Sequence, residues 1–250
     1  MKMEKMSTLY RSLLDPKSEY LKKFRDLAPG SYKHCENVAS FCESVSLELG
    51  LDEDLMKVAA RFHDIGKINY PEAFSENQNG SNIHDNLDPS VSYQIITKHV
   101  GDTILYLLQI ENMPKEVLNI ISQHHGNTIL KVFYEKSGSS VDDMYRYKCL
   151  PPQSIEASVL MLCDSVEATA RALANNGKLN DSKDRKSVVD LTVRRLMEDS
   201  QLDDMKVGEL KKVKRILYKE LENVYHKREL YGDEDDKKIK EIDEEEIDEI

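Results

Sequence analysis

Apolar residues recur every three or four positions along nearly the whole chain, and no alternating polar–apolar run lasts long enough to suggest a sheet. This period predicts helices over residues 8–14, 18–27, 31–49, 53–64, 89–110, 114–125, 154–174, 184–199 and 206–230. Several ends carry signals of their own. Pro29-Gly30 separates the second and third helices, and Gly50 stands where a helix can close through a left-handed residue. Asp88-Pro89 supplies a capping carboxylate and then a proline, whose missing N–H is harmless at the first helical position. Pro114 does the same for the next helix, and Gly126 ends it. Two stretches, 66–87 and 136–153, show no period; the first is rich in Asn, Ser and Gly, and the second closes on Pro151-Pro152. Loops of this length inside a compact domain tend to be functional or disordered. The pattern reads as all-α, with one domain over 1–231 and a tail over 232–250.

Composition agrees. With 32% charged residues, 10 Gly, 7 Pro and no Trp in 250 residues, the chain suits helices better than a β-sandwich. Cys35, Cys42, Cys149 and Cys163 show no CxxC spacing and read as free thiols of a reducing cytoplasm. The start, MKMEKMSTLYRSLL, has no apolar signal core, and no window approaches the ~18 apolar residues of a membrane span. A soluble, cytoplasmic chain with no membrane contact of its own is expected. The net charge of −11 is concentrated at one end: from Asp233 onward eleven acidic residues face three lysines, leaving only −3 for the rest. Such a block is usually a solvated or disordered tail, although Ile239, Ile242, Ile247 and Ile250 leave a weak amphipathic helix open. It says little about substrate, and no nucleic-acid polymer is expected as a partner.

The chemistry emerges when ionisable residues are placed on their helices. His34 lies on the stripe of Val38, Phe41, Cys42, Val45 and Leu49, and His63 continues the face of Met56, Ala59 and Ala60. His99 follows Ser92, Ile95 and Ile96; His124 follows Val117, Ile120 and Ile121; Asp164 continues Ala157, Leu160 and Met161. Five helices thus each turn one ionisable side chain toward the side that packs inward. A single inward histidine is ordinarily a hydrogen-bonded core residue, but an inward aspartate needs a cation beside it. Five such positions, with the adjacent pairs His63-Asp64 and His124-His125, point to a buried metal centre. Imidazole and carboxylate donors with no suitably placed thiolate favour Fe or Mn, with Mg, Co or Zn as alternatives, over a cysteine-rich zinc site.

These residues carry a resemblance. His34, the HDIGK segment at 63–67 and Asp164 in LCDSVEA at 162–168 resemble the HD superfamily of metal-dependent phosphohydrolases, and His99 with His124-His125 adds the extra ligands of its two-metal, HD-GYP-like branch. The segments LAPGSYKH (27–34), ENQNGSNIHDNLDPS (76–90), IITKH (95–99), QHHGNT (123–128) and PPQSIEASVLMLCDSVEA (151–168) are similar to the cytoplasmic HD domain of the seven-transmembrane receptor-HD family. That family includes the PgpH-type phosphodiesterases, which degrade cyclic di-AMP, and the likeness runs from about residue 10 to residue 230. There is no GYP tripeptide, and the loop YRYKCLPPQS (145–154) departs from the more Gly- and Pro-rich family form. The family's extracellular region and seven membrane helices are not in this sequence, so the chain reads either as the cytosolic part of a membrane-anchored protein or as a free-standing relative.

The resemblance implies an all-α HD-domain bundle with a buried dinuclear site. His34, His63, Asp64 and Asp164 would hold one divalent ion and Asp64, His99, His124 and His125 the other, with Asp64 bridging. The ions, expected ~3.5–4 Å apart, would share a hydroxide that attacks a phosphodiester and opens cyclic di-AMP to linear pApA. Asp64 and Lys67 are the expected catalytic residues, and Lys67, His84, Arg171 and Tyr147 the expected substrate contacts; His226 reads as structural or exposed. Another nucleotide, such as cyclic di-GMP or a linear dinucleotide, and a non-catalytic dinucleotide sensor are the alternatives; a homodimer is left open.

Overall fold

A computed structural model describes residues 2–78 and 80–225. His226 and the acidic tail over 232–250 lie outside them. Ten helices make up the described part: α1 (Lys2–Leu14), α2 (Glu19–Leu27), α3 (Pro29–Leu49), α4 (Glu53–Phe62), α5 (Pro89–Leu107), α6 (Lys115–Ser122), α7 (Lys131–Ser137), α8 (Ile155–Asn175), α9 (Ser182–Glu198) and α10 (Val207–Tyr225). Among the described residues no strand forms; Ile129 and Arg146 make a single isolated bridge. No described helix is long and apolar enough to cross a membrane.

Local chemistry sets several helix ends. The side chains of Ser18, Asp52, Asp88 and Ser154 each accept a backbone N–H in the first turn of α2, α4, α5 and α8. Asp181 and Asp184 cap α9 reciprocally. Gly50 closes α3 at φ 70°, a left-handed conformation that costs glycine little.

Some predicted bounds need correction. Pro29-Gly30 does not separate two helices, because Pro29 is already the first residue of α3 and Ala28 alone makes the break. Helix α4 stops at Phe62 and α6 at Ser122, so His63, Asp64, His124 and His125 all sit in the turns that follow. The unpatterned 66–87 stretch folds largely as short 3₁₀ turns, at Ile65–Asn69, Pro71–Ala73, Ser75–Asn77 and Ile83–Asn86. Helix α7 was not predicted. It is seven residues long, too short to hold alone, and it relies on buried Phe133 and on Gly138 at φ 63°.

Helix α3 runs through the centre, packed against α2, α4, α8 and α10. Phe41, Cys42 and Val45 of α3 and Val159, Leu162 and Val166 of α8 are fully buried. Each large apolar side chain so removed from water contributes about 1.5–3 kcal/mol. Helix α5 packs on the 3₁₀ turn at 65–69, and α6 on α4, α5 and α8. This arrangement brings the N-terminal half of α3, the ends of α4 and α6, the middle of α5 and the middle of α8 to one place.

Candidate metal centre

Four histidines there have Nδ1 engaged by the protein. Nδ1 of His63, His99 and His124 lies 2.8, 2.6 and 2.6 Å from the carbonyl oxygens of Ala60, Ile96 and Ile121, each three residues earlier. A carbonyl only accepts, so Nδ1 carries a proton and Nε2 is the atom left to face inward. His34 is engaged at both nitrogens: its Nδ1 meets Glu167 Oε2, and its Nε2 lies 2.9 Å from Asp164 Oδ1. Hydrogen-bonding one imidazole nitrogen so that the other is free and fixed is the usual preparation of a metal ligand.

The seven predicted donors lie together in two adjoining groups. His34, His63 and Asp164 bring one donor atom each within 4.8 Å of one another, and so do Asp64, His99, His124 and His125. Asp64 divides its carboxylate between them. Its Oδ2 is 3.8 Å from His34 Nε2 and 3.4 Å from His63 Nε2, and its Oδ1 is 3.3 Å from His99 Nε2 and 3.8 Å from His124 Nε2. Asp164 Oδ1 is 2.9 Å from His34 Nε2, and its Oδ2 is 3.9 Å from His125 Nδ1. His63 Nε2, His124 Nε2 and Asp64 Oδ1 are buried without a hydrogen-bond partner. Three orphaned donor atoms in one core would be costly unless a cation satisfies them, so the residues present fit a divalent metal.

One thiol is nearer than the sequence suggested. Cys35 Sγ stands 3.6 Å from His63 Nδ1, and Cys35, His63 and Asp64 form a third group whose donor atoms lie within 4.8 Å of one another, so a thiol does adjoin the cluster.

Charge is unevenly spread across the cage. Burial works against a proton on His34, but Glu167 and Asp164 overcome it and push its pKa up to about 10. Burial also opposes the charge on Asp64, and Lys67 and His63 overcome it, holding the carboxyl well below the usual range. Burial pushes His124 and His125 down, which keeps them neutral. One end therefore favours positive charge strongly, and the other offers neutral imidazoles.

A cavity of about 670 Å³, within the range of small-ligand sites, opens on the cluster. The four expected substrate contacts, Lys67, His84, Tyr147 and Arg171, all line it. None of the four is idle. Lys67 Nζ is 2.7 Å from Asp64 Oδ2 and 2.8 Å from Glu76 Oε1. Arg171 pairs with Glu167 at 3.4 Å and Glu76 at 3.8 Å. Tyr147 stacks on His125, ring centroids 4.4 Å apart. His84 belongs to neither donor group; its Nε2 is 2.9 Å from Ala73 O, and its ring leans on Phe133.

The HD-domain family model matches residues 31–169, more than half of the chain. The chain belongs to the HD-domain family. It is 34% identical over 231 residues to cyclic-di-AMP phosphodiesterase PgpH of Listeria monocytogenes, covering 90% of this chain and 32% of that protein. To PgpH of Bacillus subtilis it is 35% identical over 235 residues, covering 91% and 32%. The chain thus spans about a third of the length of these curated relatives. The crystal structure of the L. monocytogenes PgpH HD domain superposes with a TM-score of 0.78 at 34% identity, over 83% of this chain and 99% of that one. The same domain in complex with cyclic-di-AMP gives 0.78 at 32% identity, over 84% and 100%.

Two carboxylates of this HD domain were not anticipated. Glu167 lies three residues beyond Asp164 on α8 and emerges on the same side; that spacing was the available signal. Glu76 had none, because its placement depends on distant contacts. Its Oε1 accepts from Ser31 Oγ at 2.8 Å, while Asn77 Oδ1 receives the backbone N–H groups of Gly30 and Ser31. Burial raises Glu76, but Lys67 and Arg171 more than offset it and bring its pKa to about 2. A carboxyl depressed on folding stabilises above its unfolded value, and that stability is lost as pH falls toward the folded value. The stability gap between wild type and Glu76→Gln should accordingly be full above about pH 5 and close toward about pH 2. Urea unfolding across that range checks it.

The turn bearing His124-His125 is locked from outside. Gly126 has φ +53°, and a Cβ there would lie 2.1 Å from Gln201 Oε1. Gln201 is buried and holds Asn127 through both its backbone N–H and its side chain. Gly126→Ala should lose about 1–3 kcal/mol by thermal unfolding and weaken metal uptake at the neighbouring imidazoles.

Proposed function

We propose that this domain hydrolyses cyclic di-AMP to linear pApA at a dinuclear divalent centre in the cytoplasm. The observation that carries the reading is the divided carboxylate of Asp64, with Oδ2 toward His34 and His63 and Oδ1 toward His99 and His124. A carboxylate serving two donor groups, each with its own histidines, suits two ions rather than one. His34, His63, Asp64 and Asp164 hold the first, and Asp64, His99, His124 and His125 the second. Nitrogen and oxygen donors favour Fe or Mn. Bound there, the ions would supply Lewis acidity to the phosphate and an activated water near neutral pH.

The chain's own residues do the remainder. Lys67 keeps positive charge beside Asp64, where negative charge grows on the phosphoryl oxygens. Arg171 presents a planar cation to a phosphate in the cavity. Tyr147 fixes the His125 ring and offers an aromatic wall for a base, and His84 contributes a ring nitrogen from the loop. The choice of cyclic di-AMP is supported by the named activity of the two PgpH relatives and by the ligand-bound HD domain that this fold matches.

The test is a product assay. Protein loaded anaerobically with Fe or Mn is incubated with cyclic di-AMP and with cyclic di-GMP, and products are resolved by chromatography. Release of pApA is expected. Tight binding without turnover would make the domain a sensor, preference for cyclic di-GMP would replace the substrate, and turnover surviving full chelation would remove the two-metal mechanism.

A further inference from the structure

The four histidines with an engaged Nδ1 are not equivalent. Three meet backbone carbonyls, and His34 alone meets a carboxylate, that of Glu167. We infer that Glu167 is a positioning residue which, by fixing and polarising His34, makes the His34–His63–Asp164 group the tighter of the two cation positions. The inference rests on the dinuclear reading and adds an order of filling to it.

Glu167 is fully buried, where an unpaired carboxylate would be costly. Both its oxygens are used: Oε2 faces His34 Nδ1 and Arg171 Nε, and Oε1 accepts from Asn37 Nδ2 at 2.8 Å. Asn37 sits three residues after His34 on α3, as Glu167 sits three after Asp164 on α8. The two helices therefore present a matched pair, a donor with its support on each side. A carboxylate accepting the Nδ1 proton pushes more electron density to Nε2 than a neutral carbonyl does, so His34 becomes the more basic ligand. Charge acts in the same direction. Asp164, Asp64 and Glu167 all bear on the His34 group, with Lys67 at 2.7 Å from Asp64 Oδ2 as a counter-charge, whereas the His99–His124–His125 group has Asp64 and meets Asp164 only at 3.9 Å through His125 Nδ1. Arg171 offsets part of the Glu167 charge, but at 3.4 Å it holds the carboxylate in place rather than replacing His34 as its partner.

Calorimetric titration of the metal-free chain with Mn²⁺ tests this without reference to activity. Wild type should take up two equivalents in two resolved steps. Glu167→Gln keeps the shape and an acceptor but removes the charge, and should weaken the tighter step by about 10–100-fold while the other changes by less than about threefold. If Glu167→Gln lowers only the thermal midpoint of the metal-free chain and leaves both steps alone, the residue is packing and the inference is overturned. Both steps weakening together overturns it as well. Should Glu167→Gln not fold, Glu167→Asp retains the charge and withdraws it from His34 by one methylene, and the same step must weaken. A wild type that binds no Mn²⁺ overturns the dinuclear reading itself. Two-step binding without hydrolysis overturns only the enzyme reading.

Discussion

Asp64→Asn should abolish the proposed hydrolysis of cyclic di-AMP, with a rate at least about 10³-fold below wild type, beyond what loss of a single electrostatic donor usually costs. The side chain keeps its size, so the fold is retained, but the amide cannot offer two anionic oxygens to two donor groups. Its effect reaches further than one ligand. Lys67, now 2.7 Å from Asp64 Oδ2, would keep Glu76 as its remaining carboxylate partner. The metal-free variant should therefore be somewhat less stable than wild type, and its metal content should fall from two equivalents. Metal analysis with single-turnover kinetics checks both. A variant that keeps two ions and turns over within tenfold of wild type would remove Asp64 from the centre of the mechanism.

The candidate donor set was legible because it lies on periodic helices or in the turns that directly follow them. His34, His99 and Asp164 stand on apolar stripes, and an ionisable residue on such a stripe is conspicuous. His63 and His124 follow the same rule although their helices stop before them, since the first or second residue beyond a helix end still continues its face. Glu167 was on an equally readable helix but went unremarked: a glutamate near Arg171 looks like a surface pair until α3 is seen to cover it. Glu76 lies in a segment with no period, and its position comes from Gly30 and Ser31, more than forty residues away. Helix α7 is short enough that tertiary contact, not propensity, decides it. What the sequence hid is thus what long-range packing determines.

Gly66→Ala should be among the most disruptive single-methyl changes in the domain. Gly66 needs no unusual backbone angle; what it lacks is room. A Cβ there would stand 2.4 Å from both the carbonyl oxygen of His99 and the backbone nitrogen of Thr103, and 2.7 Å from Thr103 Oγ1. Two of these atoms are helix backbone and cannot rotate aside. Gly66 N–H also donates to Thr103 Oγ1 at 2.9 Å, a bond that any separation would break. Relief requires α5 to move off the 3₁₀ turn at 65–69, and α5 carries His99 while that turn directly follows Asp64. The 3.3 Å approach of His99 Nε2 to Asp64 Oδ1 would open. The expected loss is about 1–3 kcal/mol or more, with the second metal equivalent lost before the first. Gly101 supplies the control on the same helix: it is exposed, its added Cβ would meet nothing within 4 Å, and Gly101→Ala should be neutral or stabilising by up to ~1 kcal/mol. Thermal unfolding and Mn²⁺ stoichiometry of the pair separate contact from propensity. If Gly66→Ala behaved like Gly101→Ala, close packing of α5 against the HDIGK turn could not be what holds the two donor groups together.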